Sequence, residues 1–221
     1  MLKFLKRYSL GIIVFLFAGI ACSCCTNNFV SDPSCDIKII ATPSLFKRHP
    51  IVNCPPSAWS KSHKSLHPFV RFLCKNNSKL SPEYAQKIIE IYYKEARIEN
   101  INVLVAVAQM AHETAYLKFN GTVDAKQYNF AGIGTLDTNT PGNLFPDETT
   151  GVRAHIQHLK SYASDEPLKT PNVDPRRHFL LGKQKAHTIH DLTRRWATDP
   201  NYGQKIESFI HRIIQECDAS M

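Results

Sequence analysis

The sequence predicts a mainly α fold: an α+β domain in which helices surround one buried helix and a short hairpin or loop lobe covers a cleft. Three observations predict it. The stretch Val103–Ala111, VLVAVAQMA, is apolar on every side except at Gln109, and a helix without a polar face belongs in the middle of a domain. Segments with apolar residues three and four apart flank it on both sides, the mark of amphipathic helices. Residues 121–151 are turn-rich, with Asn129-Phe130-Ala131-Gly132-Ile133-Gly134 and Phe145-Pro146-Asp147-Glu148. An irregular segment of that length inside a compact domain commonly carries function. A composition of 43% hydrophobic and 21% charged residues over 221 residues suits one such domain with a core, plus an appendage.

The appendage comes first. Lys3, Lys6 and Arg7 precede an unbroken run of apolar and small residues, Leu10–Ala21. That run is too short for a membrane-spanning helix and reads as an export signal over residues 1–21. Gly19-Ile20-Ala21-Cys22 resembles a bacterial lipoprotein processing site, with Cys22 lipidated and Cys24 the next candidate. The competing reading is ordinary signal cleavage before a disulfide-forming cluster. If one of the seven cysteines is lipidated, an even number remains for an oxidising compartment. Cys74 and Cys217, near the two ends of the domain, are the pair expected to clasp its termini, which often lie close together. Residues 22–63 read as a tether, because six of the 13 prolines fall between Pro33 and Pro68 and periodicity is absent.

The domain, residues 64–221, opens near Leu66 with a short helix over His67–Leu73. Ser81-Pro82 starts a second helix, Ser as N-cap and Pro in the first turn. Tyr84, Ile88, Ile91 and Tyr92 share one of its faces, and Asn100 closes it or the next turn. The central helix follows and is expected to run to Asn120-Gly121. Helix resumes at Gly151, with Val152, Ile156, Leu159 and Tyr162 in register. A proline-rich loop spans Asp165–Arg177, and a short helix is expected over Ile189–Trp196. The last helix, Tyr202 to about Cys217, turns Ile206, Phe209, Ile210, Ile213 and Ile214 inward. About seven helices result.

Near the end of the central helix stands Glu113. On a helix it lies over Gln109 and Ala106, beside the Val103/Val107/Met110 face. Burial disfavours the ionised carboxylate, and the helix C-terminus repels it. Both effects raise a carboxyl pKa, which is what a general acid needs near neutrality. The plainer reading, which position alone favours, is a Glu on the last, partly exposed turn of a core helix. His112, its neighbour, points about 100° away on a helix and reads as a structural or solvated residue. His155, His158, His187, His190 and His211 form no metal-binding spacing of the HExxH kind, so neither a metal nor a cofactor is expected.

Four segments make the chain recognisable in combination: AQMAHETAYLKF around Glu113, YNFAGIG at 128–134, FPDETTGVRAHIQHLKSYA at 145–163 and WATDPNYGQKI at 196–206. In this order and spacing they resemble the glucosaminidase domain of glycoside hydrolase family 73, over roughly Leu66 to Cys217. The resemblance implies a lysozyme-like fold and cleavage of the β-1,4 bond after N-acetylglucosamine in peptidoglycan. It assigns Glu113 as the general acid and places Tyr202 in the cleft facing it, where a core tyrosine is the plainer alternative. It sets Asn129, Phe130 and Gly132 at the border of the sugar site, or else as simple turn residues. Trp196 either stacks on a sugar or fills the core. Members commonly carry a second carboxylate on a hairpin in a Thr-x-Glu-Tyr setting, which is absent here. Asp137 ranks first among the substitutes. Asp147 and Glu148 are placed to begin the next helix, and the substrate's own N-acetyl group is an alternative to any second acid.

The formal charge of +8 suits a polyanion or an acidic wall polymer, and the leader contributes three of its cations. No block of Lys and Arg with interleaved aromatics points to nucleic acid. The charge by itself selects no partner; the resemblance, taken with the leader, implies a monomeric, exported, membrane-anchored enzyme of the cell envelope acting on peptidoglycan glycan strands. A lytic transglycosylase of similar fold and a non-catalytic envelope-binding protein are the alternatives.

Overall fold

The computed structural model describes residues 50–52, 67–135 and 140–218, and the side chains of all these except His67, Cys217 and Asp218. The expected leader, Cys22 and Asp137 lie outside the described residues. Five α-helices are present among them: α1 (His67–Asn76), α2 (Pro82–Glu99), α3 (Val103–Glu113), α4 (Glu148–Ala163) and α5 (Tyr202–Asp218). These are fewer than the roughly seven expected: of three short 3-10 turns, Ile189–Leu192 takes the place of the helix expected over Ile189–Trp196, while Ala125–Gln127 falls in the turn-rich segment and Arg177–Phe179 at the end of the proline-rich loop. None of the helices among the described residues is long and apolar enough to cross a membrane.

Helix α3 is the axis of the fold. Every residue from Val105 to Ala111 is buried, and α2, α4 and α5 pack around it. Its start follows from Asn102, whose side chain accepts a hydrogen bond from the Leu104 N–H. In α2 the Ser81 hydroxyl accepts from the Tyr84 N–H, as the Ser-Pro pair predicts. Asn100 closes that helix in the left-handed region, at φ 59°. The buried stripe of α2 runs through Ala85, Ile88, Ile89, Tyr92 and Ala96, so Ile89 takes the place expected of Ile91, which is half-buried.

α3 ends at Glu113, not at Asn120-Gly121. The Thr114 hydroxyl donates to the Met110 carbonyl at 2.8 Å and accepts from the Leu117 N–H at 2.9 Å. Ala115, Tyr116 and Leu117 then take φ of 48°, 62° and 63°, a left-handed turn of non-glycine residues. Such backbone costs roughly 1–2 kcal/mol per residue, so packing must hold it. Tyr116 supplies that packing: its ring stacks on Phe209 at 5.3 Å, and Arg212 donates to its hydroxyl at 2.6 Å.

α4 begins three residues before the expected Gly151. Asp147 is its N-cap, accepting from the Thr150 N–H, and Glu148 in the first turn pairs with Lys87 at 2.8 Å. Gly151 has a different reason to be glycine. A Cβ there would meet the Tyr128 carbonyl oxygen at 1.8 Å, so only glycine lets the 128–133 loop lie directly on α4.

Two segments outside the helices join the core. Ile51, from the stretch read as tether, is fully buried; its N–H bonds the His187 carbonyl and its carbonyl accepts from the Asn102 N–H. The loop after α4 is held by Glu99, which is 1% exposed and accepts from the backbone of Lys169 and Thr170 and from the Lys160 ammonium at 2.8 Å. Among the described residues no sulfur bridge ties the termini. Cys74 is a free thiol 3.9 Å from the Leu80 carbonyl, and Cys217 lies outside the described side chains. Instead Lys75 reaches the Glu216 carboxylate at 2.8 Å, with Arg71 alongside, so ion pairs tie α1 to the end of α5.

Candidate active site

Glu113 is the last residue of α3, and the left-handed turn that follows carries the chain away and leaves its carboxyl on the wall of a cleft. The cleft holds about 380 Å³ and is lined by Glu113, Phe119, Val123, Gly132, Thr135 and Trp196 among others. A larger hollow of about 720 Å³ lies elsewhere, between Lys75 and Asn120, but no carboxylate lines it. Position in the fold therefore favours the smaller cleft as the reacting site.

The residue is half-buried, but its carboxyl end is enclosed by protein. Burial pushes its pKa up to about 7, partly offset by hydrogen bonds from the Tyr202 and Trp196 side chains. The Tyr202 hydroxyl donates to Glu113 Oε1 at 2.5 Å. Burial and the adjacent Glu113 carboxyl raise Tyr202 well above the ordinary tyrosine range, so it stays protonated and a donor. Tyr202 is 1% exposed and opens α5, so it is both a core residue and the partner of the acid.

Trp196 is likewise shared. Its inner face packs on His158 at 5.0 Å, Tyr162 at 5.3 Å and His155 at 5.8 Å, while the residue remains half-exposed on the cleft. His158 is held in turn by Asp174, 2.8 Å from its Nδ1. Gly132 lies beside the acid: a Cβ there would stand 3.8 Å from Glu113 Oε2, and φ of 62° favours glycine. The loop thus brings backbone, not a side chain, next to the carboxyl.

Two expected sugar-contacting side chains turn away. Asn129 is 1% exposed; its amide nitrogen donates to the carbonyls of Ile133 and Asn143, and its oxygen accepts from the Ile133 N–H. It has no polar atom left for a ligand and instead stitches the loop, which takes the loop form of the expected hairpin or loop. Phe130 is also 1% exposed and packs edge-on against Tyr92 and Phe119. His112 sits off the cleft, its ring against Tyr202 and Phe209; burial lowers its pKa, so it is neutral near pH 7.

The structure also brings in residues that spacing did not single out. Gln109, one turn before Glu113, donates to the Tyr202 hydroxyl at 2.8 Å, and His155 and Tyr92 stand behind it. Their sequence signal was slight: one amide in an otherwise apolar helix, and a histidine on the buried face of α4.

The raised acid has a consequence for stability. A carboxyl whose pKa is higher folded than unfolded favours the fold fully only below its unfolded value, and that contribution is lost as pH rises to the folded one. The window here is from 4.5 to about 7. Glu113→Gln should therefore match wild type in urea melts at pH 4 and be more stable at pH 8. The gain is at most about 3 kcal/mol, reduced by contact with solvent at the cleft. Equal stabilities at pH 8 would show that the carboxyl ionises without cost.

Comparison with known proteins follows the same residues. The family described as glucosaminidase, mannosyl-glycoprotein endo-β-N-acetylglucosaminidase, matches residues 89–215. An uncharacterized protein of Borreliella burgdorferi is 38% identical over 165 residues, covering 75% of this chain and 80% of that protein. Among solved structures, no significant match is found. Since the match takes in α3 with its terminal acid, the loop beside it and the tyrosine that opens α5, and spans more than half of the chain, the protein belongs to the glucosaminidase family of glycoside hydrolases.

Proposed function

We propose that the protein is an exported, lipid-anchored endo-β-N-acetylglucosaminidase that cleaves the β-1,4 bond between N-acetylglucosamine and N-acetylmuramic acid in peptidoglycan, with Glu113 as general acid. The observation that carries this reading is the Glu113 carboxyl on the cleft wall, held near pKa 7 by burial and oriented by Tyr202. At neutral pH a large share of such a group is protonated, and its conjugate base is stabilised by a fixed donor. Both states are needed when an acid gives its proton to the departing 4-oxygen as the C1–O bond breaks. Water completes the reaction at C1, giving a free reducing end.

Gly132 backbone and the exposed edge of Trp196 form the near wall of the sugar site. Asp137, five residues after Gly132 in the sequence, is the proposed second carboxylate. Asp137→Asn separates two mechanisms: a loss of about 10²-fold or more marks a working second acid, whereas near-full turnover marks help from the substrate's acetamido group.

Product analysis tests the reaction. Purified peptidoglycan digested by the protein should yield fragments with reducing N-acetylglucosamine ends by mass spectrometry. Products of 1,6-anhydro mass would make the enzyme a lytic transglycosylase instead, and no products would leave a binding protein. The anchor rests on the Leu10–Ala21 run and the adjacent cysteines. Intact mass of the native mature protein should show acyl chains on an N-terminal Cys22 or Cys24, and an unlipidated start elsewhere would remove it.

A further inference from the structure

Polar side chains inside an apolar core persist when they are paired, and here the pairing continues well past the acid. Gln109, His155 and Tyr92 are each 0% exposed. The Tyr92 hydroxyl lies 2.7 Å from His155 Nδ1, His155 Nε2 lies 3.0 Å from Gln109 Oε1, and Gln109 Nε2 lies 2.8 Å from the Tyr202 hydroxyl. The roles follow from chemistry. A carboxamide oxygen only accepts, so His155 Nε2 carries the hydrogen. Burial, with His158 adding to it, pushes His155 down to about 3, so the ring is neutral and its bare Nδ1 accepts from Tyr92. The Gln109 amide nitrogen then occupies the Tyr202 oxygen, leaving the Tyr202 hydrogen for Glu113 Oε1. Every donor points the same way, from Tyr92 to Glu113.

We propose that Tyr92, His155 and Gln109 are positioning residues, a one-way hydrogen-bond chain that keeps Tyr202 a donor to Glu113 Oε1 and so confines the acid's proton to Oε2. The proposal rests on Glu113 being the general acid. Oε2 is the oxygen beside Gly132, 3.8 Å from where a Cβ of that residue would stand. The reverse polarity would turn the Gln109 amide over, point the Tyr202 hydrogen at Gln109 and place the acid's proton on Oε1, away from the sugar. That arrangement serves only the neutral acid, since an ionised Oε1 would then face a lone pair. An acid that loses and regains its proton in each turnover needs a partner that suits both states, and only the forward polarity supplies one without rearrangement.

Few other groups act on this line. Glu113 meets Tyr202 from α5, the Trp196 indole, which can only donate, and the uncharged Gly132 and Thr135 of the loop. On α3 itself are Gln109 and His112, and His112 answers to Lys205 and Asp199. His155 faces Tyr92, His158 and Trp196.

The test is the pH profile of kcat and kcat/KM on soluble peptidoglycan fragments, measured with the mature protein and its Gln109→Met, His155→Phe and Tyr92→Phe variants, with Glu113→Gln as reference. Donation from Gln109 makes the Tyr202 hydroxyl a stronger donor to the carboxylate, so its loss raises the acid's pKa and frees Oε1 to take the proton. Gln109→Met should lower kcat about tenfold, leave KM within about twofold, and move the basic limb up by about half a pH unit or more. His155→Phe and Tyr92→Phe should move it the same way by decreasing amounts. A packing role would lower activity equally at every pH and follow volume removed, and Tyr92→Phe removes only a hydroxyl. Limbs that stay in place in folded variants overturn the chain, even if Glu113→Gln is inactive. Should Gln109→Met or His155→Phe fail to fold, Tyr92→Phe decides. Wild-type turnover by Glu113→Gln would instead remove the general-acid reading, and this proposal with it.

Discussion

Glu113→Gln is expected to lower peptidoglycan turnover by about 10²- to 10⁴-fold, the usual contribution of general acid catalysis, while the protein stays folded. The amide keeps the shape of the carboxyl and its oxygen still accepts from Tyr202, so the 2.5 Å contact survives. What it lacks is a transferable proton. The loss should appear in kcat more than in KM, because the missing interaction forms as the glycosidic bond breaks. Released reducing ends measure the turnover, and circular dichroism checks the fold. Folded variant with wild-type turnover is the result that removes Glu113 from the chemistry. Such a variant would also be the more stable protein above pH 7, the expected relation when a site holds a group in a state it disfavours.

The burial of Glu113 at a helix end was legible in the sequence because two signals coincide on it, whereas its role as acid came from the family resemblance. An all-apolar run marks a buried helix, and a lone Glu at the end of that run has to be paired, protonated or functional. The start of α2 was equally plain, since Ser81 and Pro82 act locally. The end of α3 was not. No glycine marks the left-handed turn at Ala115–Leu117, which depends on Tyr116 reaching Phe209 and Arg212 from far along the chain. The family resemblance likewise placed Asn129 and Phe130 near the site and could not say which way their side chains turn. In the structure one side chain satisfies its own loop and the other fills the core, and Gly132 lies beside the acid. Gln109 and His155 show the same limit from the other side. Each reads as an isolated polar residue, and their meaning comes from the approach of α4 to α3.

Glu99→Ala is expected to cost about 3–5 kcal/mol of stability at pH 7, the usual consequence of stranding one partner of a buried ion pair. Lys160 is 2% exposed, and without Glu99 its ammonium would keep only the Pro167 carbonyl at 3.0 Å. The backbone N–H groups of Lys169 and Thr170 would lose their acceptor as well. Burial opposes ionisation of Glu99, but Lys160 and the loop donors outweigh it and hold the pKa below the usual range. A lowered carboxyl pKa contributes stability above the unfolded value and loses it as pH falls through the folded one. The difference between wild type and Glu99→Ala should therefore be full at pH 7 and shrink below about pH 4. The double variant Glu99→Leu/Lys160→Met should recover part of the loss, because it strands no charge, though not the loop's hydrogen bonds. That loop carries Asp174, which orients His158 behind Trp196, so Glu99→Ala should also weaken turnover at temperatures where the domain remains folded. Urea denaturation at pH 7 and pH 3.5 measures the stability term. A loss under about 1 kcal/mol at pH 7 would mean that water reaches Lys160 once Glu99 is gone, and that the loop holds its place by packing alone.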